Sequence, residues 1–171
     1  MTDMSLIREV SAGVFYTSQS IVFADNNLIN FLKTMAKNAP LLRARLCAHP
    51  NTDAIQQDMI IVTHNSSYVP PHRHPNKSET LLVLEGEVNI LIFDDNGLCE
   101  NIIQMGTYGT KQPFFYRMPE NKFHSMVLRT EWLVFQESTK GPFKLSETET
   151  AKWCPGTTEI EAGRKFLEKY Q

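Results

Sequence analysis

Apolar residues change their period along the chain. Leu28, Phe31, Leu32, Met35 and Ala39 recur at helical spacing behind Asp25 and ahead of Pro40, which predicts a helix over about 25–39 capped by Asp25. From Leu41 the period falls to two. Leu42, Ala44, Leu46 and Ala48 alternate with Arg43, Arg45, Cys47 and His49, giving a strand with one apolar and one polar face. Gln56 to Thr63, Leu81 to Leu84, Val88 to Phe93, Leu98 to Met105, Phe114 to Met118, Ser125 to Leu128 and Trp132 to Glu137 are further short β-rich runs. Turn residues separate them, most clearly Asp94-Asp95-Asn96-Gly97, a hairpin signal because Asn and Gly tolerate positive φ. The opening residues to Ser20 read as a strand pair or an arm.

Beyond Gly141-Pro142-Phe143 the alternation fades. Thr158 with Glu161 has capping-box spacing, and Ile160, Gly163, Phe166, Leu167 and Tyr170 follow at helical intervals. The pattern predicts an all-β fold, an antiparallel β-sandwich or barrel, with an N-terminal helix and a C-terminal helix. At 171 residues and 42% hydrophobic content one core suffices, so a single domain over 1–171 is expected, with its barrel at about 41–143 and an appendage at about 144–171.

Charge and cysteines narrow the function classes. A net charge of −2 with no Lys/Arg cluster offers no footprint for nucleic acid or an anionic membrane surface. The start MTDMSLIREV lacks the basic and hydrophobic regions of a secretory signal, and three widely spaced cysteines indicate neither a disulfide framework nor a CxxC site. A cytoplasmic protein with reduced thiols is expected.

The stretch Tyr68 to Gly86 carries the chemistry. His72 and His74 are two apart, so on a strand both imidazoles face one way, and Glu79 follows the turn Pro75-Asn76-Lys77-Ser78. Two imidazoles and a carboxylate can form one wall of a divalent-metal site, and His124 is available from far along the chain for the other. Imidazole and carboxylate without sulfur suit Fe(II), Mn(II), Ni(II), Co(II) or Zn(II).

His72, His74, Glu79 and Gly86, with Pro119, Asn121 and His124 downstream, resemble the two motifs of the cupin superfamily, whose usual metal ligands fall at His72, His74, Glu79 and His124. Ser66 and Pro113 stand where the motifs begin with glycine, and Leu128 where the second closes with asparagine. A narrower resemblance is to the WbuC-type cupin metalloproteins. It is carried by Arg43-x-Arg45-x-Cys47-x-His49, Gln57-x-Met59, Tyr68-x-x-Pro71-His72-x-His74, Lys77-Ser78-Glu79, Phe93-Asp94, Pro119-x-Asn121-x-x-His124 and Glu137-x-Thr139-x-Gly141-Pro142-Phe143. That resemblance implies a jelly-roll cupin domain holding one divalent transition metal in a surface-polysaccharide (O-antigen) context.

Two function classes follow. One is a metal-dependent isomerase, epimerase or oxygenase acting on a small sugar or sugar-nucleotide-related metabolite; the other is a non-catalytic sugar or nucleotide-sugar binding module. For a polar or anionic ligand the candidate contacts are Arg45, His49, Gln57, Tyr68 and Lys77. Arginine suits carboxylate or phosphate, Gln57 shares a strand face with Met59 and Ile61, and Tyr68 and Lys77 flank the ligand hairpin. Against these stand plainer roles: a solvated strand face for the arginines, a satisfied backbone group for Gln57, an exposed loop position for Lys77. Phe93, Phe115, Tyr116 and Met126 are expected to pack the barrel. Sheet edges and the early helix raise the expectation of a homodimer.

Overall fold

The computed structural model describes residues 2–171. A single 3-10 turn at Met4–Leu6 leads into a hairpin, β1 (Ile7–Ser11) and β2 (Val14–Thr17). The first helix, α1 (Asn26–Asn38), lies where the helical spacing predicts one but follows that hairpin, so its description as N-terminal is corrected: a 3-10 turn and a strand pair precede it. The reason is local. Val14, Phe15 and Tyr16 find a parallel partner in β3 (Arg43–Cys47), which takes up the opening segment as sheet. The Asp25 carboxylate accepts the Leu28 N–H at 3.0 Å and so caps α1.

β3 begins later than the alternation suggests, because Leu42 adopts a left-handed backbone (φ 53°). There follow β4 (Gln56–His64), β5 (His72–Arg73), β6 (Glu79–Glu85), β7 (Val88–Phe93), β8 (Cys99–Met105), β9 (Phe115–Met118), β10 (Phe123–Leu128), β11 (Trp132–Lys140), β12 (Glu149–Thr150) and α2 (Ile160–Leu167). They form two sheets, ordered β1-β2-β3-β4-β11-β6-β9 and β12-β5-β10-β7-β8. Every neighbouring pair is antiparallel except β2–β3. Gly86 makes the tight turn from β6 to β7 possible: its φ is +88°, and a Cβ there would sit 2.2 Å from the Trp132 carbonyl oxygen.

Three clusters hold the layers together. Met59, Leu81, Val83, Ile90, Met105 and Phe135 fill the space between the sheets. Leu28, Leu32 and Ala36 press α1 onto Ala44, Leu46, Val62 and Val134 on the outer face of the larger sheet. Each buried leucine there contributes roughly 1.5–3 kcal/mol. On the outer face of the smaller sheet, Leu91, Phe93, Phe123 and Val127 meet Leu167, Phe166 and Trp153 from the C-terminal region.

Phe93 therefore packs the tail and not the barrel interior, and Phe115 is half exposed on edge strand β9, both unlike the expectation. The Thr158/Glu161 capping box does not form. α2 starts after Glu159 without a side-chain cap, and Glu159 turns back to accept the Gly156 N–H at 2.7 Å. β12 is tied to the histidine strand by Arg73, which bonds Glu149 through two nitrogens at 2.8 and 3.1 Å and Asp95 through a third at 2.9 Å. No helix among the described residues is long and apolar enough to cross a membrane.

Candidate metal centre

Alternation decides what points between the sheets. β10 pairs with β5 so that His124 lies directly opposite His72. On the facing sheet, Glu79 pairs with Thr139 of β11 and Met118 of β9, on the same face as the core residues Leu81 and Val83. One nitrogen from each of His72, His74 and His124 falls within 4.8 Å of the others. The rings of His72 and His124 have centroids 4.5 Å apart. Glu79 joins them: Oε1 lies 3.1 Å from His124 Nε2, and Oε2 lies 3.4 Å from His74 Nε2. The turn before β10 keeps this end closed. Asn121 takes the left-handed backbone (φ 60°) that its residue type tolerates, and its N–H donates to the His74 carbonyl at 2.8 Å.

The Nδ1 atoms show how the rings are aimed. His72 Nδ1 lies 2.9 Å from the Pro70 carbonyl and His124 Nδ1 lies 2.8 Å from that of Lys122. His74 Nδ1 meets the Thr148 hydroxyl at 3.2 Å and the Glu147 carbonyl at 3.4 Å. A carbonyl can only accept, so at His72 and His124 Nδ1 carries the proton and Nε2 keeps its lone pair. His124 Nε2 is buried, close to Glu79 but out of line for a hydrogen bond, and has no hydrogen-bond partner. A buried nitrogen of that kind fits a metal ligand.

Electrostatics agree with the geometry. Burial, aided by the neighbouring His124, pushes His72 down to about 3, so it stays neutral and ready to ligate. Burial works against the Glu79 carboxylate, but His124 and His74 outweigh it and hold the group well below the usual range. For His124 burial favours the neutral ring, yet the Glu79 carboxylate 3.1 Å away prevails and leaves it raised.

Of the proposed ligand contacts, Arg45 and Gln57 lie on the inner face, and of the two Arg45 is not spent on a loop. Arg45 projects from β3 level with Ile61, and its Nη1 lies 4.0 Å from Met59 Sδ. His49 is buried beyond the end of β3, with Nδ1 at 3.0 Å from the Asp58 carbonyl and Nε2 at 3.4 Å from the Tyr16 hydroxyl. Both ring nitrogens are occupied away from the three-histidine cluster. Gln57 faces inward but spends its amide on the 51–54 loop, donating to the Thr52 and Ala54 carbonyls at 3.1 and 3.0 Å. Tyr68 packs on the opposite side of the smaller sheet, its hydroxyl donating to the Pro155 carbonyl at 2.9 Å. Lys77 is buried, with Nζ 3.9 Å from Glu147 and 5.6 Å from the Phe143 ring centroid. Gln57 thus takes the plainer of its two expected roles, satisfying backbone groups, and Tyr68 and Lys77 make structural contacts.

Two groups at the centre escaped the sequence reading. Tyr116, expected as packing, donates its hydroxyl to Glu79 Oε1 at 3.0 Å. Glu137 shares the inward face of β11 with Leu133, Phe135 and Thr139, a period-two pattern that would have revealed it. Burial, and then the charge of Glu79, push its carboxyl up to about 8 against the pull of Arg45. An acid whose folded value is raised stabilises the fold least when ionised. Stability of metal-free protein should therefore fall as pH rises from about 4.5 towards about 8 on account of this group. Glu137→Gln removes that loss, so the melting-temperature gap between variant and wild type should widen from pH 5 to pH 8; a constant gap contradicts the placement.

Residues 24–105 match the model of a domain of unknown function (DUF6016). No curated protein matches the sequence. Among solved structures, a Shewanella oneidensis protein is similar with TM-score 0.52 at 9% identity, over 62% of this chain and 72% of its own. Bacillus subtilis oxalate decarboxylase at pH 4.6 gives 0.46 at 18%, over 56% and 23%. CapF, solved with the inhibitor 3-isopropenyl-tropolone, gives 0.48 at 18%, over 63% and 30%. The chain spans less than a third of the length of either of the last two. Two facing, mostly antiparallel sheets, with three histidines and a glutamate gathered between them, give this chain a β-sandwich of the cupin type.

Proposed function

We propose that His72, His74, His124 and Glu79 hold one divalent transition metal, drawn from Fe, Mn, Ni, Co and Zn, and that the chain is a metal-dependent enzyme for a small sugar-related metabolite. The observation that carries this is the backbone anchoring of the His72 and His124 Nδ1 atoms, which leaves their Nε2 lone pairs aimed at one point beside Glu79. A metal held by these three imidazoles and the carboxylate would supply Lewis-acid activation of substrate oxygens. The chain's own residues do the rest. Tyr116 fixes the Glu79 carboxylate through its hydroxyl. Glu137, its carboxyl raised to about 8, can give a proton to bound substrate when protonated and take one when ionised, as isomerisation or epimerisation requires.

The WbuC-like motifs support a place in surface-polysaccharide (O-antigen) biosynthesis, with a sugar or nucleotide sugar as substrate and the cytoplasm as setting. The apolar outer face around Leu84, Phe114 and Phe115 supports a homodimer. The second reading, a non-catalytic sugar-binding module, draws on the same interior.

Deuterium exchange separates the two. Metal-loaded protein is incubated in D2O with a panel of sugar phosphates and nucleotide sugars and followed by NMR. The enzyme reading expects exchange or conversion of at least one compound, abolished by chelator dialysis, restored by metal, and slowed ~100-fold or more in Glu137→Gln. Calorimetric binding of a panel member with neither exchange nor conversion would establish the module.

A further inference from the structure

The inner face of β3 carries two guanidiniums whose nearest acid, Glu137, acts on them only at a distance. Arg43 and Arg45 alternate with Ala44 and Leu46, which are buried against α1, so both arginines point between the sheets. Among the described residues neither has a carboxylate at ion-pair distance, whereas Arg73 and Arg129 on the surface do. The side-chain contact of Arg45 is the Met59 sulfur. Two cations on alternate positions of one strand repel, and Arg45 adds to the burial that lowers Arg43 to about 10. An enclosed pair of this kind calls for an anion.

The anion has room and direction. Arg43, Arg45, Glu137, His72 and His74 face inward yet keep partial solvent exposure, so the interior is reached by water. Arg45 lies level with Ile61, which pairs with Phe135, while Glu79 lies level with Thr139 on the same strand. Four residues of β11 separate those levels, about 13 Å of strand. Side chains reaching in from both ends shorten that to a gap a sugar-sized molecule spans. Glu137 stands between, sensing Glu79 and His124 on one side and both guanidiniums on the other.

We infer that Arg43 and Arg45 form an anion subsite at the far end of the barrel interior, taking the carboxylate or phosphate of a ligand whose other oxygens reach the histidine end. This deepens the reading of the interior as a ligand site and rests on it. The planar fork of arginine offers parallel donors that match either group. His49 is not part of the subsite, since its ring nitrogens are spent on Asp58 and Tyr16.

The test uses chelator-dialysed full-length protein, with inorganic phosphate and glycolate as separate probes in thermal melts and calorimetry. At least one probe should raise the melting temperature beyond sodium chloride of equal ionic strength, and the stronger one identifies the ligand's anionic group. Arg45→Gln and Arg43→Gln should each weaken that probe by about tenfold or more, and Arg45→Lys should recover only part of the loss. Arg45→Gln, reloaded with metal, should hold as much of it as wild type does. That last arm keeps failure of the metal reading distinct from failure of the subsite. No response beyond chloride, or glutamine variants that bind like wild type, would overturn the inference. Should a glutamine variant not fold, the chloride-matched wild-type melt and Arg45→Lys decide.

Discussion

Replacing His124 by Ala is expected to weaken binding of a divalent transition metal by more than the ~10–100-fold that losing an orienting partner costs, because a ligand itself is removed. His124 sits opposite His72, its Nδ1 is fixed by the Lys122 carbonyl, and its Nε2 is buried with no hydrogen-bond partner. The fold should survive, since β10 keeps its six-residue register with β7. Chelator-competition titration reads the affinity. The same experiment has a pH signature. In the metal-free protein the proton competes at His124, which Glu79 holds raised, and scarcely at His72, which burial holds near 3. Metal affinity should therefore fall as pH drops through a value above the usual imidazole range of about 6.5, and binding near neutrality should release protons to the buffer. Affinity that stays flat between pH 8 and pH 5 contradicts this proton competition.

Tyr68→Ala is expected to cost about 3–5 kcal/mol of stability in metal-free protein while leaving metal and anion binding at wild-type levels. The ring is almost fully buried among Leu91, Phe93, Phe123 and Leu167, and its hydroxyl satisfies the Pro155 carbonyl. It also sets how closely α2 approaches: a Cβ on Gly163 would come within 2.3 Å of the Tyr68 ring carbons. Gly163→Ala should consequently destabilise as well, by the roughly 1–3 kcal/mol typical of overpacking. Tyr68→Phe, losing only the hydrogen bond, should cost about 1 kcal/mol. Denaturant unfolding measures all three, and a Tyr68→Ala protein of normal stability with impaired ligand binding would reinstate the tyrosine as a ligand contact.

The contrast between His124 and Tyr68 shows what the sequence made legible. Strand alternation is a property of covalent geometry, so Ala44 and Leu46 against Arg43 and Arg45 read directly as outer and inner faces of β3. The clustering of the histidines was legible for a different reason: imidazole, carboxylate and turn residues at fixed intervals are what a metal centre on a hairpin would demand. Tyr68 carries no such constraint. It precedes β5 on a non-strand segment, and only the docking of the C-terminal region, far away in sequence, decides which side of the sheet takes its ring. The loop-bracing contacts of Lys77 and Gln57 were no more legible in detail, because they depend on Glu147 and on the 51–54 carbonyls folding back over them. Glu137 was readable from its alternation with Phe135 and Leu133, but a lone glutamate in an apolar strand gains its meaning only beside Glu79.

The central claim is the four-ligand metal centre, and elemental analysis tests it most directly. Wild-type protein and the His124→Ala variant are purified side by side without added metal, then reloaded and desalted under identical conditions. One transition-metal ion per wild-type chain and a large deficit in the variant are expected. Full metal content in His124→Ala, or none in reloaded wild type, would contradict it.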